Sequence, residues 1–396
     1  MLSINMDDVM QVVSNIQNYL IAFGVVLVLA LLVMFAVRKM PKAKKKMIRA
    51  QSGLAILLAL AIVVNLICTG PMSTMLDLVS GEGSISEETS AEATELVNEI
   101  TQEGIVLAQN DDNILPVASG SKLNVFGWAS TNPCYGGTGS GALNATYPVT
   151  DLLTGLHDAG IETNEELSKF YTDYKADRPS VSIAAQDWTL PEPEAAQYTD
   201  EMMNNAKAFS DTAMVVITRV GGEGADLPTD VSQVTYDAGH SYNDFEPGEH
   251  YLQLSKTEKD MIDLVCKNFD KVVVVYNGAN AMELGWVKDY SQIKSVVWCA
   301  GTGQSGFNAL GSILCGDVNP SGRTIDTFVY DLTQTPTANN FGNFNYTNMD
   351  EFKANSFGTE VVPAFVNYVE GIYVGYKFYE TAAAEGLIDY DKTVVY

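Results

Sequence analysis

The sequence predicts an α/β fold, a predominantly parallel sheet sandwiched by helices, preceded by an N-terminal transmembrane helical hairpin. Two observations carry this. Continuous β-branched runs such as AMVVITRV (213–220) and KVVVVYN (271–277) alternate with helical patterns, as in a sheet covered on both faces. Near the N-terminus, residues 19–37 and 53–72 are two uncharged apolar runs, each long enough to span a bilayer.

Between those runs, Arg38, Lys39, Lys42, Lys44, Lys45, Lys46 and Arg49 put seven cations into twelve residues. A basic loop between two spans is expected on the cytoplasmic side, which sends everything after residue 72 outside. Asp7 and Asp8 stand where a signal peptide would carry basic residues, so the first run reads as an anchor. The expected organisation is a membrane anchor at 1–78 and a polar tether at 79–87. An α/β sandwich at 88–335 and an extension at 336–396, leading to a further module, complete it.

Within the outer part, Thr89 and Glu92 form a capping-box pattern. It would open a helix with Ala93, Leu96, Val97 and Ile100 on its packed face and Gly104 as its stop. LNVFG (123–127) reads as a strand that leads into a glycine-rich loop, CYGGTGSG (134–141). Helices are expected at 149–159 and 164–174. The strand at 213–220 breaks into Gly221, Gly222, Glu223 and Gly224. A long loop runs over 228–251, then a helix at 255–268, strands at 271–277 and 293–300, and a helix at 306–314. Beyond residue 319 the periodicity dissolves.

The formal net charge is −26, and without the basic cluster the rest is more negative still, so no nucleic acid partner is expected. Five scattered cysteines and three histidines make no CxxC or paired metal-ligand spacing, so no metal and no cofactor are implied. The loop at 134–141 matches neither GxGxxG nor GxxxxGK[ST] and has no lysine for phosphate. It suits a neutral polyol better, with Ser140 as its contact residue, beside Thr138 and Gly139. Ser140 also reads as a plain turn serine. Trp128, Tyr135 and Trp188 are either sugar-stacking platforms or core.

Glycines bring the backbone close to a ligand, so Glu223 is either an exposed loop charge or a general acid/base. The catalytic reading expects a dry loop that raises its pKa. Asp226, Glu246 and Glu249 are rival carboxylates. Glycoside hydrolysis needs two flanking carboxylates, and no convincing second one stands in this chain.

Taken in order, EGIVLAQNDDNILPV (103–117), NVFGW with GGTGSG, TRVGGEGADLP, CGDVNPSGRT (315–324) and EGIYVGYKFYET (370–381) resemble the α/β sandwich domain of glycoside hydrolase family 3. The resemblance covers residues 88–396. GGEGADLP and the two preceding apolar runs resemble a β-glucosidase-type subgroup in which the sandwich precedes a (β/α)8 barrel. What the resemblance implies is an outward-facing, membrane-tethered retaining exo-β-glycosidase acting on an oligosaccharide substrate. Its acid/base glutamate maps to Glu223 and its sugar-contacting serine to Ser140, with Gly139, Thr138 and Asp226 on the substrate side. The nucleophilic aspartate belongs to a barrel expected downstream. Many relatives carry GEGxDR, and Leu227 stands in place of that arginine. A surface-anchored sugar-binding or scaffolding module is the alternative from a different class.

Overall fold

The structure, a computed structural model, describes residues 6–73, 76, 85–143, 147–181, 186–236, 242–342, 344–356 and 359–396. Most of the expected tether lies outside the described residues. The chain divides into two units, residues 1–85 with 343–366, and residues 86–342 with 367–396.

In the first unit, α1 (Met6–Ala36) and α2 (Lys42–Thr69) pack against each other as a hairpin. Ile16–Lys39 and Lys42–Thr69 are each long and apolar enough to cross a membrane. The basic segment differs from the loop expected for it. Pro41, with ψ at 142°, breaks the chain after a short 3-10 turn, and α2 starts at Lys42. Alanine and lysine are good helix formers, so the lysines join the apolar run in one helix. The same unit holds a small antiparallel pair, β7 (Ala354–Ser356) and β8 (Thr359–Val361).

The second unit is built on β1 (Val106–Asn110), β2 (Lys122–Phe126), β3 (Glu162–Thr163), β4 (Thr212–Thr218), β5 (Lys271–Asn277) and β6 (Ile293–Cys299). Their spatial order is β1-β6-β5-β4-β2-β3. All neighbours are parallel except β1, which runs antiparallel to β6 at the edge. Every residue of β4 is buried because both faces are covered. On one face, α5 (Glu165–Tyr174), α6 (Asp200–Phe209) and α7 (Lys256–Asn268) bring Leu167, Met203 and Ile262 against Val215, Ile217 and Val274. On the other, α4 (Leu152–Asp158) and α8 (Phe307–Cys315) bring Leu156 and Leu310 against Met214, Val216 and Val273. Adjacent strand residues alternate between the two cores, which is the strand period of two.

Helix α3 (Glu87–Gly104) corrects the expected start. Ser86 is the cap, accepting a hydrogen bond from the Thr89 N–H at 3.1 Å, and Glu87 and Glu88 occupy the first turn. An acidic first turn suits the positive end of the helix dipole. The expected apolar face is also corrected, since Leu96 and Ile100 are 54% and 61% exposed. The helix instead lays Thr94, Val97 and Thr101 against residues 303–306, where Ser305 Oγ donates to the Thr94 carbonyl at 3.5 Å. At the far end of the unit, α9 (Tyr376–Ala384) is followed by a return to the sheet. The Val395 N–H donates to the Phe328 carbonyl at 2.8 Å, and Tyr396 packs against the first core.

Candidate active site

Both glycine loops leave the carboxyl ends of parallel strands, the one after β2 and the one after β4. That edge is where ligands sit in open α/β sheets. The first loop is anchored by Asn277, the last residue of β5, which is fully buried. Its Oδ1 accepts from the Cys134 N–H at 2.6 Å, and its Nδ2 donates to the carbonyls of Cys134, Cys299 and Ala300 at 3.1, 3.0 and 3.2 Å. One side chain at the end of β5 thereby ties the loop to the end of β6.

The second loop turns at Gly222–Ala225, with the Ala225 N–H donating to the Gly222 carbonyl at 3.1 Å. Its tip is Glu223. The two loops then lock together. Thr138 Oγ1 donates to the Glu223 carbonyl at 3.1 Å. Ser140 donates twice to the same carboxylate oxygen, from its N–H at 2.8 Å and from Oγ at 2.6 Å. Gly139 makes this approach possible. It sits at φ 64°, and a Cβ there would lie 2.6 Å from Glu223 Oε2. Gly222 is equally constrained, since a Cβ would meet the Thr138 nitrogen at 2.4 Å.

Four expected site residues, Glu223, Ser140, Gly139 and Thr138, are thus brought together although the loops lie more than eighty positions apart. Asp226, just past the turn, is exposed and makes no hydrogen bond or ion pair with the described residues. Glu246 and Glu249 bond to each other, Glu249 Oε2 accepting from the Glu246 N–H at 2.7 Å, which ties them into their own loop. Trp128 and Trp188 are core residues. Trp128 donates its indole N–H to the Lys175 carbonyl at 2.7 Å, and Trp188 packs edge-on to Tyr251. Tyr135 packs edge-on to Phe307.

The expected dry environment of Glu223 is not what the structure places there. The carboxylate is fully exposed, and the Ser140 hydroxyl and then the Ser140 N–H hold its pKa below the usual glutamate value. Both donors favour the charged form, and the slight desolvation that opposes them is the smallest of the three effects. In this arrangement Glu223 is held as an anion. Replacing Ser140 with alanine removes the stronger donor and keeps the backbone one. The Glu223 pKa should therefore move up toward the ordinary value without passing it. A carboxyl-carbon NMR titration of the labelled side chain checks this, and an unchanged midpoint in Ser140→Ala would remove the serine from that role.

Two buried acids at this edge escaped the sequence reading. Arg219, the residue after β4, is fully buried and pairs with Glu258 on α7 at 2.8 and 2.7 Å. Its Nε donates to the Tyr251 carbonyl at 2.6 Å, tying the 228–251 loop to the base of the Glu223 turn. Burial is the largest single influence and pulls the guanidinium pKa down, but the Glu258 charge, its hydrogen bonds to the arginine and the nearby Tyr251 and Tyr276 together outweigh it, and the net shift is upward. Glu192 is also buried. It accepts from the Trp128 N–H at 2.8 Å and from the Tyr198 hydroxyl, and burial pushes its carboxyl up to about 8. A capping-box pattern at Ser255 and Glu258 was the one local signal for Glu258, which fills both roles.

Residues 105–376 match the family model described as the glycosyl hydrolase family 3 C-terminal domain. Beta-glucosidase A of Butyrivibrio fibrisolvens is 32% identical over 316 residues, covering 77% of this chain and 35% of that protein. A beta-glucosidase of Ruminococcus albus is 29% identical over 74% of this chain and 27% of its own length. Among solved structures, a beta-glucosidase from Paenibacillus barengoltzii superposes with a TM-score of 0.59 at 28% identity, over 79% of this chain and 29% of that one. Beta-glucosidase 3B from Thermotoga neapolitana shares the fold, with a TM-score of 0.58 at 23% identity over 89% of this chain and 44% of that one. The chain spans about a third of the length of the curated relatives it matches.

Proposed function

The chain belongs to glycosyl hydrolase family 3, and on that premise we propose that it is the sandwich portion of a membrane-tethered, retaining exo-β-glycosidase of β-glucosidase type. The observation that carries the reading is the Glu223 carboxylate, presented to solvent on a glycine turn at the ligand-bearing edge of the sheet and held by Ser140. The Butyrivibrio fibrisolvens and Ruminococcus albus relatives are both named beta-glucosidases, which supports terminal β-linked sugars as the substrate.

In this reading a (β/α)8 barrel supplies the aspartate that attacks the anomeric carbon. Glu223 protonates the leaving oxygen, then takes a proton from the water that releases the glycosyl-enzyme. The acid step needs a proton on Glu223 near neutral pH, which the exposed and serine-bound carboxylate does not favour. Closure of the loop against substrate and barrel would dry the carboxylate and raise its pKa. Ser140, Gly139, Thr138 and Asp226 would form the sandwich side of the sugar site. Residues 1–78 would anchor the protein, with 79–87 as tether, 88–335 as the sandwich and 336–396 as the lead to the next module. The sandwich would face outward.

A lone acid cannot perform the covalent step, so the chain by itself should be inactive. Held in detergent micelles, it should release no aryl alcohol from aryl β-glucosides above the blank. Removing the nucleophile from such a device removes several orders of magnitude in rate. Clear turnover that survives Glu223→Gln would point to another carboxylate, with Asp226 and Glu249 the first to test, and would end the half-site reading.

A further inference from the structure

The basic segment raises a question that glycoside chemistry leaves unanswered. Lys42, Lys45, Lys46 and Arg49 stand at i, i+3, i+4 and i+7 of α2, so they share one face of the helix. That face is about 10 Å long at 1.5 Å per residue. Lys42 with Lys46 and Lys45 with Arg49 are like charges one turn apart, a spacing that destabilises the helix carrying them. Nothing in the sequence offsets them, because no Asp or Glu occurs from residue 9 through residue 76. Among the described residues none of the seven cations of this segment makes an ion pair. Lys42, Lys46 and Arg49 are exposed. Arg49 reaches only the Met34 carbonyl, at 3.4 Å, and Arg38 lies over the Phe35 ring. A topology signal needs cations near the turn, but it does not require four of them on one helical face.

We propose that the Lys42–Lys45–Lys46–Arg49 face is a docking surface for the phosphate headgroups of anionic lipids in the leaflet at the hairpin turn. The proposal rests on the reading that α1 and α2 cross a membrane. An apolar helix continuing from the cationic face holds that face at headgroup depth, where the phosphates replace the missing carboxylates. Each cation near an anionic surface contributes roughly a fivefold gain in association, and salt screens it.

The test titrates the full chain in detergent micelles with fluorescent short-chain phosphatidylglycerol and phosphatidylcholine. The expected result is a preference of at least about tenfold for phosphatidylglycerol, collapsing toward unity at high salt. The quadruple glutamine variant (K42Q, K45Q, K46Q, R49Q) should lose the preference. A charge-keeping variant (K42R, K45R, K46R) should retain it, with circular dichroism showing equal helix content in both. Equal affinity for the two lipids, or a preference that survives in the glutamine variant, overturns the proposal. Inorganic phosphate displacing the lipid at millimolar concentration would also overturn it, assigning the face to a soluble anion. Alkaline carbonate extraction of the chain from vesicles keeps the two readings apart. Release would refute membrane crossing itself. Retention with no lipid preference would refute only the headgroup site.

Discussion

Under the proposed function, in a protein that carries this chain together with a nucleophile-bearing barrel, Glu223→Gln is expected to cut hydrolysis of cellobiose-like substrates by roughly 10²–10⁴-fold. The amide keeps the shape of the side chain and its bond to Ser140, but it can neither give nor take the proton. An acid matters most when the leaving group is poor, because a good leaving group departs without one. Dinitrophenyl glycosides should therefore still form the glycosyl-enzyme in the variant and then stall, since no base activates water. Azide needs no deprotonation, so adding it should restore turnover and give a β-glycosyl azide. Two displacements on opposite faces return the original configuration, whereas an α-azide would mark a missing nucleophile. Equal losses for good and poor leaving groups, with no azide rescue, would make Glu223 a binding residue. The acid would then have to be sought among Asp226, Glu246 and Glu249.

What the sequence disclosed of this fold follows from how completely each element is enclosed. β4, β5 and β6 are buried on both faces, so they read as unbroken apolar runs, and their boundaries are close to those observed. β1 escaped notice because it is a five-residue edge strand ending in the polar pair Gln109 and Asn110, which breaks the apolar run that marks a buried strand. β3 has only two residues. α6 turns just Met203 and Ala206 inward, which leaves DEMMNNAKAF looking like a polar loop. The site divides the same way. Glu223 was visible because a lone carboxylate among glycines is unusual. Its bond to Ser140 was not, because the partners are joined only by the fold. The direction of its pKa was misjudged for a physical reason. Dryness is set by whatever covers the loop, and in this chain the loop faces solvent with two donors on one oxygen.

Arg219 and Glu258 are the largest structural contribution hidden from the sequence, and breaking them should be the most damaging single change to the sandwich. Glu258→Ala leaves the guanidinium buried with carbonyl partners only, and it also deprives the Ser255 N–H of its acceptor at 2.9 Å. Removing one member of a buried pair costs about 3–5 kcal/mol. That is a large share of the roughly 5–15 kcal/mol that holds a typical domain together. At about 2–4 °C per kcal/mol for a domain of 150–250 residues, the melting temperature should fall by roughly ten degrees. The cost comes from the stranded charge more than from the lost attraction. Replacing both partners with apolar residues, Arg219→Met with Glu258→Leu, should therefore recover much of the loss despite removing more polar contacts. Thermal melts followed by near-ultraviolet circular dichroism distinguish these cases. If Glu258→Ala melts within a degree or two of the parent, the pair is dispensable. If the double replacement is worse than the single one, the arginine's bonds to Tyr251 and Thr218 matter more than its charge balance. Because Arg219 lies two residues before the glycine turn, the second outcome would make it the post on which the Glu223 loop is hung.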